Sequence, residues 1–109
     1  MSGIKRITTI SPLRMLVLLE VHLRECGVPG VTLERVKGYG KHPDFFTGDL
    51  LQDNTRLVLY AGEDTVDRIV TTIADCAREY GVKAGILAVE SIDRLVRLTD
   101  GSDVDPLSL

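Results

Sequence analysis

Aromatic side chains and positive charge are both scarce in this sequence. Tryptophan is absent, 5% of the 109 residues are aromatic, and the formal net charge at pH 7 is −3. Proteins that bind nucleic acids normally carry a basic surface, and those that hold single strands stack the bases on aromatic rings. We therefore expect no nucleic-acid partner for this chain.

Long apolar runs are also missing. The longest, residues 15–19, ends at Glu20 and is far shorter than the roughly 18 to 20 residues that span a bilayer. Near the N-terminus, Lys5 and Arg6 are followed by threonines and a proline rather than by an apolar segment with a small-residue cleavage site. This pattern is not that of a signal peptide, so we expect a cytoplasmic location.

Cysteine occurs only twice, at Cys26 and Cys76. The two residues are far apart and lack the C-x-x-C spacing of zinc sites. Each lies on the apolar face of a predicted helix, which favours buried, reduced thiols. A disulfide or a catalytic thiol is the alternative interpretation.

The apolar pattern predicts two helices. Ser11 followed by Pro12 predicts the start of the first, because a serine side chain caps free N–H groups and proline is tolerated in the first turn. Gly27 is expected to end it. In the second helix, apolar residues recur at three- and four-residue spacing over residues 66–80, and Gly81 marks the end.

Stretches of aliphatic and β-branched residues predict the strands of a single sheet. The order βαββαβ, with one short extra strand, predicts an α+β fold of ferredoxin-like type, in which both helices cover one face of an antiparallel sheet. We expect one domain over residues 1–101 and a flexible C-terminal tail over residues 102–109. The predicted strands cover residues 4–10, 31–37, 56–61 and 85–89, with the short one at 95–98.

Two of these strands are apolar on both faces. Residues 57–60 and 86–89 do not alternate between apolar and polar, as the strands of a sheet with one solvated face should. The chain is too short to supply a third layer over the second face. We therefore expect a homo-oligomer that packs sheet against sheet.

The segment that follows the second strand favours an anion. Gly38 and Gly40 permit close approach of the backbone to a ligand, and Lys41 and His42 follow directly. The motif of a P-loop is missing, and no helix opens there as in a dinucleotide-binding fold. A plain hairpin is the alternative interpretation.

Residues 27–40 read G-V-P-G-V-T-L-E-R-V-K-G-Y-G. This stretch resembles the G-x-x-G-x-T-x-x-x-V-K-G-[FY]-G segment of PII signalling proteins, and the resemblance extends over residues 3–101 with matching element order. PII proteins are trimers that bind adenine nucleotides in clefts between subunits and contact target proteins through a long loop, the T-loop. The resemblance implies a non-enzymatic regulator that binds an adenine nucleotide and acts on a target such as a transporter or an enzyme.

The resemblance also implies ligand-binding residues. Thr32 would hydrogen-bond the nucleotide, and Gly38 and Gly40 would let the backbone pass close to it. Lys41 and Arg97 would face the phosphates. The backbone of three further residues would line the adenine pocket: Leu59, Tyr60 and Ala61.

Several departures from the PII pattern change the expected ligand. His42 stands where the family has the glutamine of its Mg-nucleotide and 2-oxoglutarate site, and Leu51 replaces the modified tyrosine, which excludes uridylylation there. Lys83 can contact phosphate only if its loop bends differently, while Asn54 and Thr99 replace basic residues. A nucleotide mono- or diphosphate, or a small anion such as bicarbonate, fits this set better than Mg-ATP.

Two other classes of function are alternatives to a nucleotide-binding regulator. A CutA-like metal-binding or structural trimer of the same fold would use His42 and Asp44 as ligands, but two ligands in one loop are few for a metal site. A small enzyme would need a catalytic set, and the sequence places no Ser/His/Asp or Cys/His group on neighbouring elements. We expect no catalytic residues and no metal site.

Overall fold

The computed structural model describes residues 3–40, 42, 45 and 52–109, with Gln52 described by its backbone alone. Short 3₁₀ turns lie at Leu13–Met15, Glu63–Thr65 and Pro106–Ser108. The main elements in chain order are β1 (Ile4–Pro12), α1 (Leu16–Glu25), β2 (Thr32–Gly38), β3 (Gln52–Gly62), α2 (Val66–Tyr80) and β4 (Ile86–Ile92).

The four strands form one antiparallel sheet in the order β2-β3-β1-β4. The central strand β1 pairs with β3 over its whole length and with β4 from Ile4 to Ile10. Both helices contribute their apolar residues to a single core against one face of the sheet. The predicted ferredoxin-like βαββαβ arrangement is confirmed.

The first helix begins differently from the prediction. Ser11 and Pro12 pair with Thr55 and Asn54 as the last residues of β1, and the 3₁₀ turn that follows has Pro12, not Ser11, at its N-cap, with no side-chain capping hydrogen bond. The backbone of Pro12 is extended, with φ −58° and ψ 140°. Pairing in the sheet therefore takes precedence over the local capping signal, and a 3₁₀ turn leads into α1.

The second helix follows its sequence pattern closely. Val66, Ile69, Ile73 and Cys76 are its buried residues. Gly81 ends the helix at φ 67°, in the left-handed region that favours glycine.

Both cysteines are free thiols. Cys76 is buried, as predicted, whereas Cys26 is half-buried and lies 3.6 Å from the hydroxyl of Thr72. Burial raises the pKa of the Cys76 thiol above its usual value, with a smaller contribution from Glu79. The raised pKa keeps this sulfur protonated and chemically inert.

The sheet face opposite the helices carries a mixed surface. The register brings Arg6 opposite Glu90 and Glu34 opposite Arg56, and both are ion pairs. Apolar residues lie on the same face, of which Ile86 is 36% exposed. No helix or strand of the described chain covers this face as a second layer, which agrees with the sequence interpretation.

The end of the chain differs from the prediction in its last strand. Residues 95–98 do not form a strand; one bridge joins Val96 to Asp103 within a hairpin. The tail over 102–109 carries the turn at Pro106–Ser108, which contacts β3. A Cβ built on Gly62 would lie 2.6 Å from the carbonyl oxygen of Pro106. The absence of a side chain at this glycine leaves room for the turn.

Candidate functional site

The predicted ligand-binding residues fall at two ends of the sheet. The first, here named the loop-base end, is where β2 leads into the segment before β3. Gly38 is the last residue of β2 and pairs with Gln52, and Lys37 Nζ lies 3.9 Å from Asp53 Oδ1. Gly40 follows and is half-buried.

The loop that precedes β4 reaches the same end. Ile10 pairs with Ile86, and a Cβ built on Gly85 would lie only 2.9 Å from the carbonyl oxygen of Ile10. Ala84 is buried, whereas Lys83 is exposed. The absence of a side chain at Gly85 therefore lets this loop pack onto β1 and places Lys83 beside the end of that strand.

A cavity of about 420 Å³ opens between these segments. Arg14 lines it together with Lys83, although the sequence gives no reason to single out Arg14. What brings the two residues together is the pairing of Pro12 with Asn54 and the close packing at Gly85. The lining residues are Pro12, Leu13, Arg14, Asp53, Asn54, Lys83 and Ala84.

The structure describes only part of the segment after β2 that the sequence predicts to bind an anion. His42 is exposed and its ring stacks on that of Phe45, with centroids 4.2 Å apart and an interplanar angle of 16°. Lys41, Asp44 and Leu51 lie outside the described residues. Within the part of the chain that the structure describes, no three His, Cys, Asp or Glu side chains are grouped so as to hold a metal ion.

The second end, here named the hairpin end, is where β4 finishes. Ile92 pairs with Ile4, and the hairpin that follows carries Arg97. The guanidinium of Arg97 donates to the carbonyl oxygen of Asp103 at 3.1 Å and to the Ser102 hydroxyl at 3.4 Å. Arg97 is thus held by its own hairpin.

The hairpin turn is stabilised by a side-chain carboxylate. Asp100 Oδ1 accepts from the backbone N–H and from the hydroxyl of Ser102, at 2.9 and 2.7 Å. These hydrogen bonds hold the pKa of Asp100 below its usual value. Gly101 completes the turn at φ 74°.

The predicted adenine-pocket residues also lie toward the hairpin end. Leu59 and Ala61 bury their side chains in the core, so only their backbone is available to a ligand. Tyr60 is half-buried on the other face, opposite Arg6. Because β2 begins at Thr32, opposite Val58, no β2 residue pairs with this last part of β3. The side chain of Thr32 is exposed.

The predicted ligand residues at the loop-base end and those at the hairpin end do not meet within one chain. The strand β4 alone, from Ile86 to Ile92, separates Lys83 from Arg97, and it spans about 20 Å at 3.3 Å per residue. Lys83 and Arg97 therefore lie beyond opposite ends of β4.

The geometry defines a ferredoxin-like protein whose potential ligand contacts are divided between the two ends of one sheet. The sequence matches the family described as nitrogen regulatory protein P-II over residues 4–101, and the chain belongs to that family. It is therefore a PII-like signalling protein. Members of this family generally form trimers and bind small effectors and partner proteins.

A solved structure supports the same fold. The crystal structure of Arabidopsis thaliana PII bound to citrate aligns with a TM-score of 0.78 and 19% sequence identity, over 94% of this chain and 90% of that chain. At this identity the likeness concerns the fold alone. A comparison with curated protein sequences gives no match.

No helix within the described ranges has the length and apolar character needed to cross a bilayer.

Proposed function

We propose that this protein is a non-enzymatic regulator whose homotrimer binds an adenine nucleotide in clefts between subunits. The effector is an adenosine mono- or diphosphate, or a small anion such as bicarbonate. Binding changes the contact that the segment after β2, the T-loop of PII proteins, makes with a target protein. That target is a transporter or an enzyme.

The observation that carries the proposal is the division of the ligand contacts between two ends of the sheet. Gly38, Gly40 and Lys83 lie at the loop-base end, whereas Arg97 lies at the hairpin end. A cleft between neighbouring copies brings one subunit's loop-base end next to the hairpin end of another. The PII family generally forms trimers, and this supports an assembly with such clefts.

The uncovered sheet face supports assembly of the same kind. When a neighbouring copy buries its exposed apolar residues, the assembly is stabilised by about 25 cal/mol for each square ångström of apolar surface removed from water. Its charged residues are already paired across the strands, as Arg6 is with Glu90 at 2.8 Å. When this face is buried, each charged side chain of these pairs therefore keeps its ion-pair partner.

The number of cations supports a nucleotide with few phosphates. Lys83 and Arg97 are the described cations among the residues that we assign to the ligand. Asn54 and Thr99 are neutral where PII proteins carry basic residues. A structural neighbour is described as bound to citrate, a carboxylate anion, which agrees with an anion-binding role.

Calorimetry tests the ligand class. The full-length protein is titrated with AMP, ADP, ATP with and without Mg²⁺, cyclic AMP, bicarbonate, citrate, Cu²⁺ and Zn²⁺. We expect AMP or ADP to bind more tightly than Mg-ATP. Binding of Cu²⁺ or Zn²⁺, with no heat from any nucleotide or anion at millimolar concentration, would replace the proposal by the CutA-like alternative.

A complementation experiment tests the shared cleft. Lys83→Ala and Arg97→Ala subunits are co-expressed, and each variant is also purified alone. Because each cleft takes Lys83 from one copy and Arg97 from another, about a quarter of the clefts in randomly mixed trimers recover both residues. Recovery of wild-type affinity in that fraction is the expected result, and its absence contradicts a shared cleft. Light scattering should give the mass of three 12.0 kDa chains.

A further inference from the structure

We propose that Arg14 is a further binding residue for the acidic group of the effector, acting in one pocket with Lys83. The inference rests on the proposed function. It adds a contact that neither the anion motif nor the family resemblance indicates.

The position of Arg14 is set by its neighbours on both sides. Pro12 is fixed in the sheet by its pairing with Asn54, and Met15 is 1% exposed in the core. The 3₁₀ turn between them leaves Arg14 exposed beside the cavity at the loop-base end. The side chain thus projects from a rigid part of the molecule.

Lys83 reaches the same cavity from a second rigid segment. Ala84 is 7% exposed, and Gly85 lies against the backbone of Ile10 and Ser11. The loop before β4 is thereby held against the end of β1, immediately before the turn that carries Arg14. Two cations from separate segments line one concave surface.

Arg14 differs from most arginines of this protein in having no partner. Within residues 3–40, 42, 45 and 52–109, neither the side chain of Arg14 nor that of Lys83 forms a hydrogen bond or an ion pair. Asp53 also lines the cavity, but its carboxylate lies 3.9 Å from Lys37 Nζ. By contrast, five arginines are ion-paired with carboxylates: Arg6, Arg24, Arg56, Arg78 and Arg94.

The chemistry of the two cations selects phosphate as the recognised group. A guanidinium presents a planar fork of donors that matches phosphate oxygens, and an ammonium adds a compact charge. Neither side chain has to break an internal contact before it binds. Arg14 thus supplies one of the cations that Asn54 and Thr99 no longer provide.

The test compares ADP with adenosine, which carries no phosphate. Calorimetry is performed on the full-length wild type and on Arg14→Gln, Arg14→Lys and Arg78→Gln. We expect Arg14→Gln to weaken ADP binding about tenfold while adenosine affinity stays unchanged. Arg14→Lys should restore part of the loss. Arg78→Gln, which removes the same charge from α2, should behave as wild type.

The outcomes separate this inference from the proposed function. Wild-type ADP affinity in Arg14→Gln would overturn the role of Arg14 while the nucleotide function stands. Equal weakening of ADP and adenosine would also overturn it, because that pattern indicates a distorted pocket rather than a lost phosphate contact. If neither compound binds to the wild type, the proposed nucleotide function fails and this inference fails with it.

Discussion

The two ends of the sheet hold their cations in different ways. At the loop-base end, the side chains of Arg14 and Lys83 form no hydrogen bond or ion pair within the described chain, and the loop that carries Lys83 packs closely on the backbone of β1. At the hairpin end, Arg97 donates to Ser102 and Asp103 of its own hairpin. The first end thus carries cations without internal partners, whereas the arginine of the second end is already hydrogen-bonded. A ligand in the proposed cleft would contact both kinds of cation.

A glycine at each end allows this comparison to be tested, and Gly85 should give the larger effect. In Gly85→Ala the new Cβ meets the backbone of Ile10 in the central strand, which is paired on both sides and cannot move away. We expect urea denaturation to show a loss of about 2 kcal/mol in the free energy of unfolding.

Gly30→Ala is the control for Gly85→Ala. A Cβ at Gly30 has no neighbour within 4 Å, so its free energy of unfolding should stay within about 0.5 kcal/mol of wild type. If Gly85→Ala is as stable as Gly30→Ala, the loop-base end is less rigid than the packing indicates.

The corresponding substitution at the hairpin end should cost less. In Gly62→Ala the Cβ meets the carbonyl oxygen of Pro106, but the tail can detach because few contacts hold it. We expect a loss below about 1 kcal/mol. The NMR order parameter of Leu109, which is half-buried in the wild type, should fall. An unchanged order parameter would contradict tail release.

The smallest effect concerns the pH response of the hairpin. Because hydrogen bonds from Ser102 lower the pKa of Asp100 in the folded protein, the contribution of Asp100 is present above its unfolded pKa of about 3.9. It is lost as the pH falls through the folded pKa. In an NMR titration, Ser102→Ala should raise the pKa of Asp100 toward its usual value. A wild-type Asp100 that titrates at the usual value would disprove the effect.

The parts of the fold that follow local rules could be predicted from the sequence. The apolar spacing of α2 and the left-handed Gly81 are signals within a few neighbouring residues, and both predictions are confirmed. Ser11 and Pro12 also carry a local signal, but pairing with β3 overrides it. The turn at Pro106–Ser108 depends on Gly62, which lies more than forty residues away in the sequence.

The residues of the candidate site were even harder to predict from local sequence signals than the fold. Lys83 and Arg97 were found because each resembles or departs from a position in the PII pattern. Arg14 has no such motif, since its place beside Lys83 depends on contacts among three distant segments. The sequence also does not show that Arg97 and Lys83 lie at opposite ends of β4. That separation becomes visible only when the register of the sheet is known.

The ion pairs on the uncovered sheet face have a consequence for the proposed association of copies of the chain. Arg6 with Glu90, and Glu34 with Arg56, cancel in charge within one subunit. A face of this kind neither attracts nor repels a second copy over long distances, so its association depends little on ionic strength. In the proposed assembly, selectivity between copies then comes from the shape of the apolar surface on this face, which a paralogue with different side chains there would not match.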